Sequence, residues 1–187
     1  VSARLGFLGT GANGIGGYLA KCLPGAAGGL NARTMLELPR KAYVLLNLEP
    51  ELDCHDPATA MRTMRDAQCV IALTPYKSLA MEYAQVLLPI TPFSETAGSF
   101  VNLEGRLQGF NPAVVPRGEA RPGWKVLRVL AESLGVSDVG FDTSEAVRDA
   151  ACRADEIGAM LDNGLDGGDV ALVSRPYPLE RIADVPI

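Results

Sequence analysis

The chain has 187 residues, 48% hydrophobic and 21% charged, the composition of an ordinary soluble globular protein long enough to bury a real core. Its net charge of −5, with no block of Lys or Arg, lacks the electrostatic footprint of a nucleic-acid or anionic-membrane binder. Aromatic residues make up only 6%, with one tryptophan, which weighs against a surface that stacks sugars or single-stranded bases.

The sequence opens on VSARLGFLG without an initiator Met, so it is expected to be an excised piece of a longer polypeptide. LGFL (5–8) reads as a strand, GTGANGIGG as a turn and YLAKCL as a helix. PGAAGG (24–29) breaks the chain, and NARTMLEL is a short helix starting near Asn31 or Thr34. AYVLLNLEP (42–50) is a second strand, whose unbroken apolar run suits a parallel sheet covered on both faces. In DPATAMRTMRDA, Asp56 is an N-cap followed by Pro57 at the first helical position, with Ala60, Met64 and Ala67 on one face. CVIALTPY (69–76) is a strand, KSLAMEYA (77–84) a helix and QVLLPI (85–90) a strand. This alternation predicts an α/β fold with a mostly parallel sheet and flanking helices.

ETAGSFVNLEGRLQGF (95–110) reads as a β-hairpin excursion. Asn102 opens a type I turn and Gly105 closes it in left-handed geometry. Glu104 then points to water, and Phe100 and Leu107 pack on the two arms. Glu95 and Arg106 are candidates for a pair at its base, of the exposed kind that contributes little stability. PGWKVLRVLAESLG is a helix with Pro122 near its start, Trp124, Leu127, Ala131 and Leu134 at helical spacing, and Gly135 at C′. A last helix is expected from about Thr143 to Leu161, with Asp142 and Glu145 at capping-box spacing. The proline-bearing tail reads as extended, a linker or an arm. The expected organisation is an α/β domain over 1–135, with the hairpin excursion at 93–120, and a helix and tail over 136–187.

No apolar run approaches the ~20 residues that span a bilayer, and the start does not resemble a signal peptide. Cys22, Cys54, Cys69 and Cys152 are scattered with no CxxC, which fits neither a zinc nor an iron–sulfur ligand set. They are expected to be reduced structural thiols of a cytosolic protein.

Three stretches could carry chemistry. Gly9-x-Gly11-x-x-Gly14 stands between a strand and a helix, where a dinucleotide fingerprint belongs. The acidic residue that should end the next strand about 20 residues on is missing, since the second strand ends only at Glu49. A tightly packed turn needing positive φ is the better account. Asp53-Cys54-His55-Asp56 gathers the only histidine with a thiol and two carboxylates, but four adjacent residues cannot all face one ion. A solvated loop entering a helix explains it better. Glu95 and Glu104 could be imagined as a general acid and base, yet the turn chemistry already accounts for them.

VLLPITPFSETAGSFVNLEGRLQGF resembles a segment of the molybdopterin oxidoreductase superfamily: a strand ending in LP, an acidic residue, then G-[ST]-F-x-N-x-E-G-R-[LV]-Q. Here those positions are Leu88, Pro89, Glu95, Gly98, Ser99, Phe100, Asn102, Glu104, Gly105, Arg106, Leu107 and Gln108. PRGEARPGWKVLRVLAESLG (116–135) is similar to the following turn and helix, through Glu119, Ala120, Arg121, Pro122 and Trp124. Gln85 departs from the Asp usual there. Within the superfamily, the wording is closest to the branch formed by the large iron–sulfur subunits of respiratory NADH:quinone oxidoreductases, over about Leu5 to Gly135.

The resemblance implies a Rossmann-like domain that serves as a structural or interaction fragment. It would support electron transfer from NADH to quinone without catalytic, cofactor-binding or metal-binding residues of its own. It also implies iron–sulfur clusters in an N-terminal part of the parent chain that is absent here. The partners it implies are the rest of the subunit and the other peripheral-arm subunits, with no nucleic acid and no membrane insertion, at the cytoplasmic face of the inner membrane. The alternative is a fragment of an active molybdopterin oxidoreductase of formate dehydrogenase or nitrate reductase type. There, strand ends near Gly9–Gly14 and Asn47–Pro50 would hold a guanine dinucleotide.

Overall fold

The computed structural model describes residues 11–24, 29–77 and 79–152. The first expected strand (5–8), Gly9 and the tail lie outside the described residues. Helix α1 covers Gly14–Leu19 and α2 Ala32–Glu37, the latter capped by Asn31, whose side chain accepts from the Thr34 N–H at 2.8 Å. Strand β1 (Ala42–Leu46) leads through α3 (Pro50–Asp53) and α4 (Pro57–Asp66) to β2 (Cys69–Thr74). Helix α5 (Ala80–Tyr83) precedes β3 (Val86–Pro89). A 3₁₀ turn at Phe93–Glu95, the hairpin β4 (Gly98–Val101) and β5 (Leu107–Phe110), α6 (Gly123–Ser133) and α7 (Ser144–Ala151) follow.

The fold is α/β as expected. β1, β2 and β3 form a parallel sheet in chain order, with Ala42 opposite Cys69 and Ile71 opposite Val86. Parallel neighbours need a crossover connection, and α4 and α5 supply these. One face holds the core: Tyr43, Leu45, Val70 and Ala72 from the strands meet Met64, Ala80 and Tyr83 from the helices, with Met35 and Leu36 of α2 packed alongside. Tyr43 ties α2 down, its hydroxyl donating to the Met35 carbonyl and accepting from the Arg40 N–H, both at 2.8 Å. Gln85 takes the usual Asp position well. Its side-chain oxygen accepts from the Val70 N–H and its amide donates to the Tyr83 carbonyl, which fixes the register where β2 and β3 begin.

Several elements differ from the sequence reading. β1 alternates instead of being buried throughout: Tyr43 and Leu45 face the core, while Val44 is 53% and Leu46 47% exposed. α6 reaches that second face near Leu46 and Ile90, both beside Gly123. The helix expected at 77–84 is a single turn, too short to hold itself without tertiary contacts. α7 is capped by Thr143, whose hydroxyl accepts from the Ala146 N–H at 3.1 Å. Asp142 does not cap it, because its carboxylate pairs with Arg128 at 2.9 Å. The expected continuation of α7 to Leu161 lies outside the described residues. Among the described residues no helix is long and apolar enough to cross a membrane.

Asp56 caps α4 as expected, accepting from the Thr59 N–H at 3.0 Å. That hydrogen bond holds its carboxyl below the ordinary carboxylate value. A carboxyl depressed in the folded state adds stability above its unfolded pKa, and loses it as pH falls through the folded one. Chemical denaturation should therefore show stability declining below about pH 4, with the decline shallower in Asp56→Asn, which keeps the cap but not the charge. Met64→Ala, at a side chain only 2% exposed, should cost about 2–5 kcal/mol in the same titration at neutral pH.

Candidate functional site

The hairpin is built from its turn outward. Asn102 accepts at Oδ1 from the Glu104 and Arg106 N–H groups, at 3.0 and 2.8 Å, and its carbonyl accepts from the Gly105 N–H at 2.9 Å. Gly105 has φ +78°, the left-handed geometry expected of it, in which an L side chain costs about 1–2 kcal/mol. Glu104 sits at the tip in water. Phe93, Phe100 and Phe110 pack with ring centroids 4.9 to 6.2 Å apart. Gly98 lies opposite Phe110, and a Cβ there would come within 2.5 Å of that ring.

Glu95 and Arg106 form no ion pair. Glu95 instead accepts at Oε2 from the Arg117 N–H at 3.1 Å, while the Ser94 carbonyl accepts from Ala113 and Val114. The returning segment 111–117 therefore uses Glu95, and Arg106 is held beside the turn by its backbone. The base of the excursion closes through Thr91, whose N–H donates to the Arg121 carbonyl at 3.0 Å. Glu95 and Glu104 thus have separate surroundings.

The steric constraint near the glycine motif falls on Gly16, outside its spacing. Gly11 and Gly14 do not have positive φ, so the conformational reason expected for them is replaced by a packing one two residues further on. At Gly16 a Cβ would clash with the Asn13 side chain at Oδ1. Asn13 makes no helix cap. Its Oδ1 crosses Gly16 to accept from the Val101 N–H at 2.8 Å, 88 residues along the chain. The sequence reading missed this contact; its only trace was an Asn three residues before a glycine pair. A cavity of about 210 Å³ lies beside it, walled by Gly16, Val101, Leu107, Trp124, Val147 and Ala151.

Asp53, Cys54, His55 and Asp56 do not converge. Asp53 ends α3 and accepts from the Glu49 N–H at 2.8 Å, Asp56 caps α4, and His55 is exposed. Burial, with the Asp53 and Glu51 charges, pushes the Cys54 thiol up, which disfavours the nucleophilic thiolate. Burial also pushes the Tyr83 phenol up, helped by the Glu51 carboxylate that accepts its hydrogen bond at 3.3 Å. The four cysteines are free. Among the described residues no group of three or more His, Cys, Asp or Glu could hold a metal ion.

The sequence profile of the molybdopterin oxidoreductase family matches residues 5–133. The chain belongs to that family. It is 46% identical over 67 residues to NADH-quinone oxidoreductase subunit 3 of Thermus thermophilus, covering 36% of this chain and 9% of that one. It is 34% identical over 112 residues to an NADH-quinone oxidoreductase subunit of Mycobacterium tuberculosis, covering 58% and 13%. A Staphylococcus haemolyticus protein provisionally named a formate dehydrogenase is 40% identical over 53 residues, covering 28% and 5%. The chain therefore spans about a tenth of the length of the first two.

The family's name invites a test of the β1 carboxyl end, where ligands of open α/β sheets collect. Asn47 there is left-handed, with φ +48°. The segment that follows places the carboxylates of Glu49, Glu51 and Asp53 around a four-residue helix. Glu49 and Glu51 are near enough to act on the Tyr83 phenol. That strand end therefore presents carboxylates.

Two substitutions separate packing from ligand roles at the glycine motif. Gly16→Ala should displace Asn13, orphan the buried Val101 N–H and cost about 1–3 kcal/mol in urea denaturation. Gly14→Ala, with nothing within 4 Å of its Cβ, should be neutral or stabilising by up to about 1 kcal/mol.

Proposed function

We propose that this chain is a packing segment of the large iron–sulfur subunit of a respiratory NADH:quinone oxidoreductase, without chemistry of its own. One observation carries the reading: in the segment that resembles the family most, the polar residues are spent on shape or left in solvent. Glu95 holds the returning segment and Asn102 the turn, while Glu104 stands in water. The similarity to subunits named NADH-quinone oxidoreductase supports the assembly. On this reading the α/β domain of residues 1–135, with its hairpin excursion, supports residues 136–187. The iron–sulfur clusters belong to another part of the parent chain, and the segment lies in the peripheral arm on the cytoplasmic face of the inner membrane.

The formate dehydrogenase similarity favours a second reading, a cofactor-binding piece of an active molybdopterin oxidoreductase. A tagged chain expressed in its native cells should co-migrate on native gels with an NADH-oxidising assembly, and release no stoichiometric molybdenum, tungsten or fluorescent pterin on denaturation. Stoichiometric metal and pterin would establish the second reading instead.

A further inference from the structure

Asn13 is followed by Gly14, and the pair carries a chemistry that the hairpin anchor does not use. The backbone nitrogen of the following residue can attack an asparagine side chain, and glycine leaves that nitrogen unshielded. The Gly14 nitrogen bonds to the Asn13 Cγ, the Cγ–Nδ2 bond breaks, and ammonia departs with the amide proton. Water then opens the five-membered imide at either carbonyl, giving aspartate or isoaspartate. Only water is consumed, and no electron is transferred. Of the six asparagines, Asn163 also precedes a glycine but lies outside the described residues. The other four precede Ala32, Leu48, Leu103 and Pro112.

The fold engages the groups this reaction needs. Asn13 Oδ1 accepts from the Val101 N–H at 2.8 Å, and the Gly14 N–H donates to the Gly11 carbonyl at 3.3 Å. The Asn13 carbonyl accepts from the Gly17 N–H at 3.0 Å, as α1 begins. Ring closure requires the Asn13 Cβ and the Gly14 nitrogen to eclipse about the Cα–C bond. Asn13 has ψ 27°, which sets those two atoms nearly opposite each other. Closing the ring therefore swings α1 away from the Asn13 side chain, which now lies against Gly16. That rotation cannot keep both the first turn of α1 and the bond to Val101. Asn13 is only half-buried, so water reaches the imide once it forms.

We propose that Asn13 is a deamidation site held shut by its own hydrogen bond to the hairpin. While Oδ1 holds the Val101 N–H, the backbone stays turned away from ring closure; when the hairpin lifts, the site opens. Isoaspartate adds a methylene to the main chain where α1 begins, so the acceptor no longer reaches Val101 and release becomes one-way. The modification therefore accumulates with the time the hairpin spends off its anchor. This holds whichever assembly contains the chain.

The test times deamidation of the full chain against the synthetic peptide GTGANGIGGYL in one mildly alkaline buffer. Peptide mapping by mass spectrometry separates Asn13 from Asn163. Asn13 should react about tenfold more slowly in the chain, the factor set by freeing one buried hydrogen bond. Gly16→Ala, which displaces Asn13, should move the chain toward the peptide rate. Tyr43→Phe removes a hydrogen-bonded tie to Met35 and Arg40, away from Asn13, and should leave the rate unchanged. Hydrogen exchange at the Val101 amide should be fast in the isoaspartyl fraction and slow in Asn13→Asp, whose carboxylate still accepts. Equal rates in chain and peptide, or a Gly16→Ala chain that reacts no faster, would overturn the proposal. So would equal acceleration by Tyr43→Phe, or a Val101 amide that still exchanges slowly in the isoaspartyl fraction.

Discussion

A single buried backbone N–H decides how the hairpin sits on the rest of the chain. Val101 is 2% exposed, so its amide cannot reach water, and an unpaired buried donor costs about 1–3 kcal/mol. Asn13 supplies the acceptor from the start of α1, and can do so only because Gly16 has no side chain to block its path. The glycine-rich turn and the hairpin are therefore one structural unit joined across 88 residues. What resembles a phosphate loop in sequence is used to hold a strand.

The remainder of the fold follows from an uneven sheet. One face carries a closed core of Tyr43, Leu45, Val70 and Ala72 under α4 and α5. The other is covered near its carboxyl end, where Gly123 lies against Leu46 and Ile90. α6 is placed there from both ends. The Arg121 backbone anchors its start to Pro89 and Thr91, and Arg128 fastens its middle to the Phe141 carbonyl and Asp142. Its stop is a Schellman motif, with Gly135 at φ +75° and the Val136 N–H returning to the Ala131 carbonyl at 2.9 Å.

Local signals in the sequence survived into the structure where one residue's chemistry suffices. Asn31 and Asp56 as caps, Pro57 at the first helical position, Gly105 in the turn and Gly135 after α6 each follow from backbone geometry that few residues satisfy. Readings failed where tertiary partners decide. Apolar residues throughout β1 suggested two covered faces, but the pattern records affinity for cover without saying where the cover comes from. Thr143 displaced Asp142 as a cap because Arg128, 14 residues earlier, holds that carboxylate. Glu95 went to a backbone N–H 22 residues on, a partner no spacing rule foretells. Of the candidate site, the hairpin was legible and its anchor through Asn13 was not.

Membership of the molybdopterin oxidoreductase family comes with the family's fold, and the residues decide what is done with it. Carboxylates follow the β1 end, and Asn102 and Glu95 of the hairpin segment accept hydrogen bonds that shape the turn and hold the returning segment. The central claim is that the 95–110 segment builds shape and carries no proton. It is tested most directly by Glu104→Gln in the NADH:quinone oxidoreductase assembly proposed above, with turnover expressed per mole of complex on native gels. An unchanged rate is predicted. A loss on the order of 10²-fold or more with assembly intact, the size of a general acid or base contribution, would contradict it.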